Sequence, residues 1–127
     1  MEFAAPTTVD EARTLLADNP GSRVFAGATD VVPQMRSGRP EPSVLIDLKR
    51  IDRLMSVAHD NGHWTIGAAM PTSELTSNGE FSSVFPGISE GAGWIGSDQI
   101  QNRSSLGGNL CNGSPAADSV PAMIASE

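Results

Sequence analysis

Two glycine-rich segments, set far apart in the chain, restrict what it can fold into more than any other feature. The first is Ala26-Gly27-Ala28-Thr29-Asp30, which follows a short apolar run. The second is Ser105-Leu106-Gly107-Gly108-Asn109-Leu110, which continues to Ser114-Pro115-Ala116-Ala117-Asp118. Each joins small residues, whose backbone N–H groups can come close to a ligand, to hydroxyl, amide and carboxylate groups that can orient it. A fold that uses both must bring them together, and the pair then suits a diphosphate held from two sides, as in a dinucleotide site.

The 127 residues suffice for one domain with a genuine core, and 39% apolar content is too high for a disordered chain. A net charge of −7 and the lack of any Lys/Arg cluster argue against nucleic-acid binding, because successive phosphates could not be neutralised. A bound anion would be held mainly by backbone dipoles. Cys111 is the single cysteine, so no intrachain disulfide or cysteine-based metal cluster can form. The start, MEFAAPTTVDEA, has neither the basic nor the apolar region of a signal peptide. No stretch approaches the ~20 apolar residues of a membrane-spanning helix. These features predict a soluble cytoplasmic protein.

The pattern predicts a helix over 8–17, capped by Thr7 or Thr8, with Val9, Ala12, Leu15 and Leu16 on one face. A strand over 23–26 leads into the first glycine segment, and a helical turn over 30–35 follows. Strands are expected over 43–47 and 54–59. Asp60-Asn61-Gly62 then turns a hairpin between 57 and 66. Thr72 or Ser73 is read as the cap of a further helix. Residues 81–94 read as helix interrupted at Pro86-Gly87, 98–110 as a polar, glycine-containing passage, and 117–125 as the opening of a helix. Ile124-Ala125-Ser126-Glu127 carry no terminator, so the sequence reads as cut short. Trp64 and Trp94 are expected in the core, and Cys111 as a buried or half-buried spectator.

Each glycine segment has two readings. Around Gly27, the N–H groups of Ala28, Thr29 and Asp30 could ring one anion; alternatively the segment is an ordinary strand-to-helix turn. Asp30 suits capping or a sugar hydroxyl better than phosphate. In the second segment Gly107-Gly108 permits unusual backbone and Asn109 offers donor and acceptor. Asp118 could accept ligand hydroxyls or cap the last helix. The first segment lacks the lysine of G-x-x-x-x-G-K-[ST] and the spacing of G-x-G-x-x-G. His59 and His63 flank a turn without a carboxylate at zinc spacing and are read as solvated.

Taken in order, these strings are similar to a flavoprotein family. Ala26-Gly27-Ala28-Thr29-Asp30 resembles its A-G-G-T-D motif. Leu45-Ile46-Asp47-Leu48 and Ile66-Gly67-Ala68-Ala69-Met70-Pro71-Thr72 resemble its intervening segments. The strongest likeness runs from Asp98 through Arg103 and the second glycine segment to Asp118. The family is the FAD-binding medium subunit of the molybdenum hydroxylases, which includes carbon monoxide and xanthine dehydrogenases.

That resemblance implies an α+β fold, the two-subdomain FAD-binding type shared with vanillyl-alcohol oxidase, with its C-terminal part missing here. Residues 1–55 would form the small subdomain and 56–127 the start of the larger one. FAD would contact Ala26, Gly27, Ala28, Thr29 and Asp30, then Ser105, Leu106, Gly107, Gly108 and Asn109, and further Ser114 and Asp118. No residue is implied as catalytic or as a metal ligand. Electrons would arrive from a molybdenum-cofactor large subunit through an iron–sulfur small subunit and leave FAD for an external acceptor. The alternative is a non-catalytic remnant serving at most as an interaction module. Two departures stand out: Ala28 replaces a glycine, which strains the backbone if φ is positive there, and Gln101 replaces an arginine found in some members.

Overall fold

The computed structural model describes residues 1–126. Its first half is built on a parallel three-stranded sheet of β1 (Glu2–Ala4), β3 (Val44–Asp47) and β2 (Arg23–Phe25), in that spatial order. Phe3 lies opposite Leu45, and Val24 opposite Ile46. Parallel neighbours need a crossover connection, supplied between β2 and β3 by α2 (Val31–Arg36). α1 (Val9–Asp18) carries the chain from β1 past the central strand to β2.

The central strand shows why this unit holds. Its residues alternate between faces. Val44 and Ile46 pack with Ala12 of α1 and with Ile51, whereas Leu45 packs with Phe25 and with Val31 of α2. A strand covered on both faces reads as an unbroken apolar run, which Val44-Leu45-Ile46 is. The alternatives for the α1 cap resolve to Thr8: its Oγ1 accepts from the Glu11 N–H at 3.2 Å, and the Glu11 carboxylate accepts from the N–H of Thr8 and of Thr7. The expected apolar face is narrower than the spacing indicated, since Val9 and Leu16 are exposed and only Ala12 is buried.

After β3 the expected strand over 54–59 starts later. Two short 3-10 turns, Leu48–Arg50 and Asp52–Leu54, first fold Ile51 into the core. The hairpin of β4 (Val57–Asp60) and β5 (His63–Ile66) then forms where expected, with Asn61 and Gly62 at φ 49° and 79°. Positive φ at both positions matches the two-residue turn that follows strand twist. The Glu80 carboxylate accepts from His59 Nδ1 at 2.8 Å, and the imidazole stacks on Trp64.

The remainder is helical: α3 (Thr72–Ser77), α4 (Gly79–Val84), α5 (Pro86–Gly93), α6 (Asp98–Gln101), α7 (Leu106–Asn112) and α8 (Val120–Ala125). Leu75, Phe81, Ile88, Ala92 and Leu106 form their shared core, and the edge of Trp64 closes on Phe81. The helix expected over 81–94 divides at Pro86, which opens α5 in the first turn, where its missing N–H costs nothing. Thr72 does not cap α3. That position falls to Pro71, and Thr72 is wholly buried with a different task described below.

Three expectations are corrected. Trp94 ends α5 with 71% of its surface exposed, so only Trp64 joins the core. Cys111 is exposed on α7 rather than buried. The passage over 98–110 is not a loop but contains α6 and most of α7, with Gly107 and Gly108 in the first turn of α7. Glu127, the last residue of the unterminated helix that the sequence predicts, lies outside the described residues; α8 closes at Ala125 with Ser126 as C-cap.

A cleft between the two glycine segments

β2 delivers the chain to the first wall. Phe25 and Ala26 are buried, and Gly27 to Asp30 turn out of the sheet into α2. The residue in left-handed geometry is Ala28, at φ 60°, and not the glycine before it. Among the described residues, the N–H groups of Ala28, Thr29 and Asp30 have no hydrogen-bond partner, and neither has the Thr29 hydroxyl. Asp30 occupies the N-cap position of α2 without capping it. Its exposed carboxylate is therefore not engaged with the helix.

The second wall is the start of α7. Ser105, almost fully buried, is its N-cap, and its Oγ accepts from the Gly108 N–H at 3.0 Å. Beneath it, Thr72 and Ser104 share a buried hydroxyl–hydroxyl bond of 2.7 Å, and the Thr72 N–H donates to the Ser104 carbonyl. The serine hydroxyls thus secure the wall instead of facing outward. Asn109 is different. Its Oδ1 accepts from the buried Ser119 hydroxyl at 2.6 Å, which orients the amide and leaves Nδ2 to donate elsewhere.

Glycines let these walls approach. A Cβ on Gly27 would lie 2.3 Å from the Arg103 carbonyl oxygen, so any side chain there would force the first segment away from the second. A Cβ on Gly107 would lie 2.5 Å from the Ala68 carbonyl oxygen, where the 67–70 turn backs α7. Gly108 has more room: only Ser105 Oγ comes near, at 3.0 Å, and the residue is exposed on the cleft. A polar bridge joins the walls at one end, with Arg23 donating to Gln34 Oε1 and Gln34 Nε2 donating to Asn112 Oδ1 at 3.0 Å.

Between the walls lies a cleft of about 290 Å³. All of Ala26, Gly27, Ala28, Thr29 and Asp30 line it, together with Ser105, Gly107, Gly108 and Asn109. Three expected contacts do not line it. Leu106 faces the helical core, Ser114 Oγ closes a local turn by accepting from the Ala116 N–H, and Asp118 is exposed beyond the cleft. Its backbone carbonyl instead packs against Gly91.

Sequence reasoning missed Arg23, Gln34, Asn112 and Ser119. Arg23 and Asp30 are the two charged residues among those lining the cleft. No local string marks the other three, because their roles arise from contacts as distant as 78 positions. Lys49 lies behind the second wall, donating from Nζ to the Ala69 carbonyl at 2.6 Å. Burial and the nearby Arg103 charge hold its pKa below the usual lysine range, against the opposing pull of Asp47 and Glu74. Among the described residues no group of histidine, cysteine and carboxylate side chains could hold a metal, and no helix is long and apolar enough to cross a membrane.

The family model described as the FAD binding domain in molybdopterin dehydrogenase matches residues 1–127. The chain belongs to this family. It is 34% identical over 125 residues to the nicotinate dehydrogenase FAD-subunit of Eubacterium barkeri, covering 96% of this chain and 42% of that protein. Identity to the carbon monoxide dehydrogenase medium chain of Hydrogenophaga pseudoflava is 31%, over 99% of this chain and 44% of that one. The fold matches reconstituted CO dehydrogenase from Oligotropha carboxidovorans with a TM-score of 0.87 at 27% identity, over 94% of this chain and 42% of that chain. The chain thus spans about two fifths of the length of the relatives it matches. The α+β architecture is that of the FAD subunits of these dehydrogenases.

Proposed function

We propose that the cleft binds FAD and that the protein acts as the flavoprotein subunit of a molybdenum-hydroxylase-type oxidoreductase. The observation that carries this reading is that the segment Ala28 to Asp30, whose N–H groups have no partner among the described residues, lines one cleft with the first turn of α7. Such an array suits a diphosphate, because aligned backbone donors attract an anion without needing many cations. The residues present fit such a group: glycine at 27 and 107 lets the two walls and the 67–70 turn pack closely around the cleft, Gly108 is exposed on it, and Arg23 adds one guanidinium.

In this reading Ala28, Thr29 and Asp30 donate to phosphate oxygens from one side, and Gly108, with no side chain, lets the cofactor approach α7 from the other. Asn109 Nδ2 is aimed by Ser119, while the Asp30 carboxylate is available to a sugar hydroxyl. The cleft is at the lower end of the roughly 300–1,000 Å³ typical of ligand sites, which suits part of an extended dinucleotide. The core clusters, one drawn from residues up to Leu54 and one from Val57 onward, support a small subdomain over 1–55 and the start of a larger one over 56–127. FAD supplies the redox chemistry when bound, and the chain contributes binding and orientation.

The likeness to medium chains of multi-subunit dehydrogenases supports two partners: a molybdenum-cofactor large subunit and an iron–sulfur small subunit. Electrons would enter from these and leave for an external acceptor. A single unpaired thiol is in keeping with a reducing cytoplasm.

The test is Gly108→Val, since Gly108 faces the cleft with only Ser105 Oγ close by. The wild-type chain is expected to take up FAD and quench its fluorescence, and the variant to lose this while keeping its circular dichroism. Full uptake by the folded variant would remove the second segment from the site. A wild-type chain that takes up none would instead fit the interaction-module reading.

A further inference from the structure

We infer that Lys49 is a positioning residue for the cleft, tying the Ala69 carbonyl so that the 67–70 turn holds the start of α7 in place. The inference rests on reading the cleft as the FAD site. Lys49 is the single lysine of the chain. Its backbone is fixed first: its N–H donates to Asp47 Oδ1 at 2.9 Å, and Asp47 ends the central strand. Its side chain then reaches to Ala69, which is wholly buried.

Ala69 is held at two points. Its N–H donates to the Leu54 carbonyl at 2.9 Å, and among the described residues its carbonyl accepts from Lys49 alone. The neighbouring residue, Ala68, is the one pressed against Gly107, within 2.5 Å of where a Cβ would stand. A shift of this turn therefore passes directly to the first turn of α7, beside Gly108 and Asn109. Contacts run without a gap from β3 through Lys49 and the turn to the second wall.

The charges around Lys49 come from three elements: Asp47 from β3, Glu74 from α3 and Arg103 from the segment before α7. The carboxylates favour the ammonium, while burial and Arg103 oppose it. An apolar side chain of the same length would avoid the burial cost but could not donate to Ala69. Binding geometry and stability are thus separable at this residue.

The experiment compares Lys49→Met, which keeps length without a donor, with Lys49→Arg, which restores one. Two quantities are measured on the folded chain: FAD affinity by flavin fluorescence, and amide exchange at Asn109 and Leu110 without FAD. Lys49→Met is expected to weaken FAD binding and speed that exchange by about tenfold each, the scale of one lost hydrogen bond, with circular dichroism preserved. Lys49→Arg is expected to stay within about twofold of wild type. Unchanged exchange in Lys49→Met, or equal weakening in both variants, would overturn the inference. If the wild-type chain binds no FAD, the cofactor reading fails, and the exchange comparison still decides whether Lys49 positions α7.

Discussion

Ala28 is the residue at which the local and global demands of this fold conflict. A left-handed φ of 60° costs an L-residue roughly 1–2 kcal/mol, because Cβ crowds the following carbonyl. Ala28→Gly should therefore raise stability by about 1 kcal/mol, less what a freer unfolded chain takes back, and chemical denaturation measures it. No gain would show that the strain is relieved elsewhere. Gly27 has the opposite character. Its φ is not left-handed, yet Gly27→Ala would drive a methyl into the Arg103 carbonyl and separate the two walls, so a large loss of stability is expected. Lys49 gives a pH signature. Its folded pKa is depressed, so the folded state binds fewer protons than the unfolded state between that value and the ordinary lysine pKa. Stability should rise with pH across that alkaline window, and Lys49→Met should remove the rise.

At the scale of elements, caps and turns were legible and hidden helices were not. The capping box of α1 is written in Thr8 and Glu11, and the hairpin in Asp60-Asn61-Gly62, because each depends only on neighbours. Thr8→Ala should cost about 1 kcal/mol in thermal or chemical unfolding. The Thr7 N–H, with that of Thr8, holds the Glu11 carboxyl below its ordinary pKa. The contribution of Glu11 is thus present above that ordinary value and lost as pH falls through the lowered one. β1 and α7 escaped notice for physical reasons. β1 has three residues, too few to show alternation, and exists by pairing with β3. α7 carries two glycines in its first turn, a residue type about 1 kcal/mol worse than alanine in a helix interior, and forms because Leu106 is buried and Ser105 caps it. Local propensity pointed to a loop; tertiary contacts decided otherwise.

For the whole molecule, both walls of the cleft could be read from sequence, but what joins them could not. The glycine segments stand out as strings, and their meeting follows from the Gly27–Arg103 approach and the Gln34–Asn112 bond. Asp118 and Ser114, which the family resemblance adds to the contacts, lie outside the lining of this cleft because the chain leaves it after α7. Phe81, wholly buried at the centre of the helical core, supports the second wall from behind. Phe81→Ala should cost about 3–5 kcal/mol by denaturant unfolding, a loss that a domain of marginal stability would register as widespread unfolding.

The proposed site has two glycine segments holding one diphosphate. Parallel calorimetric titrations with FAD and FMN test it most directly, because both carry the flavin but only FAD carries a diphosphate. FAD is expected to bind at least about tenfold more tightly than FMN, equivalent to roughly 1.4 kcal/mol. Equal affinities for the two, or no binding of FAD, would contradict it.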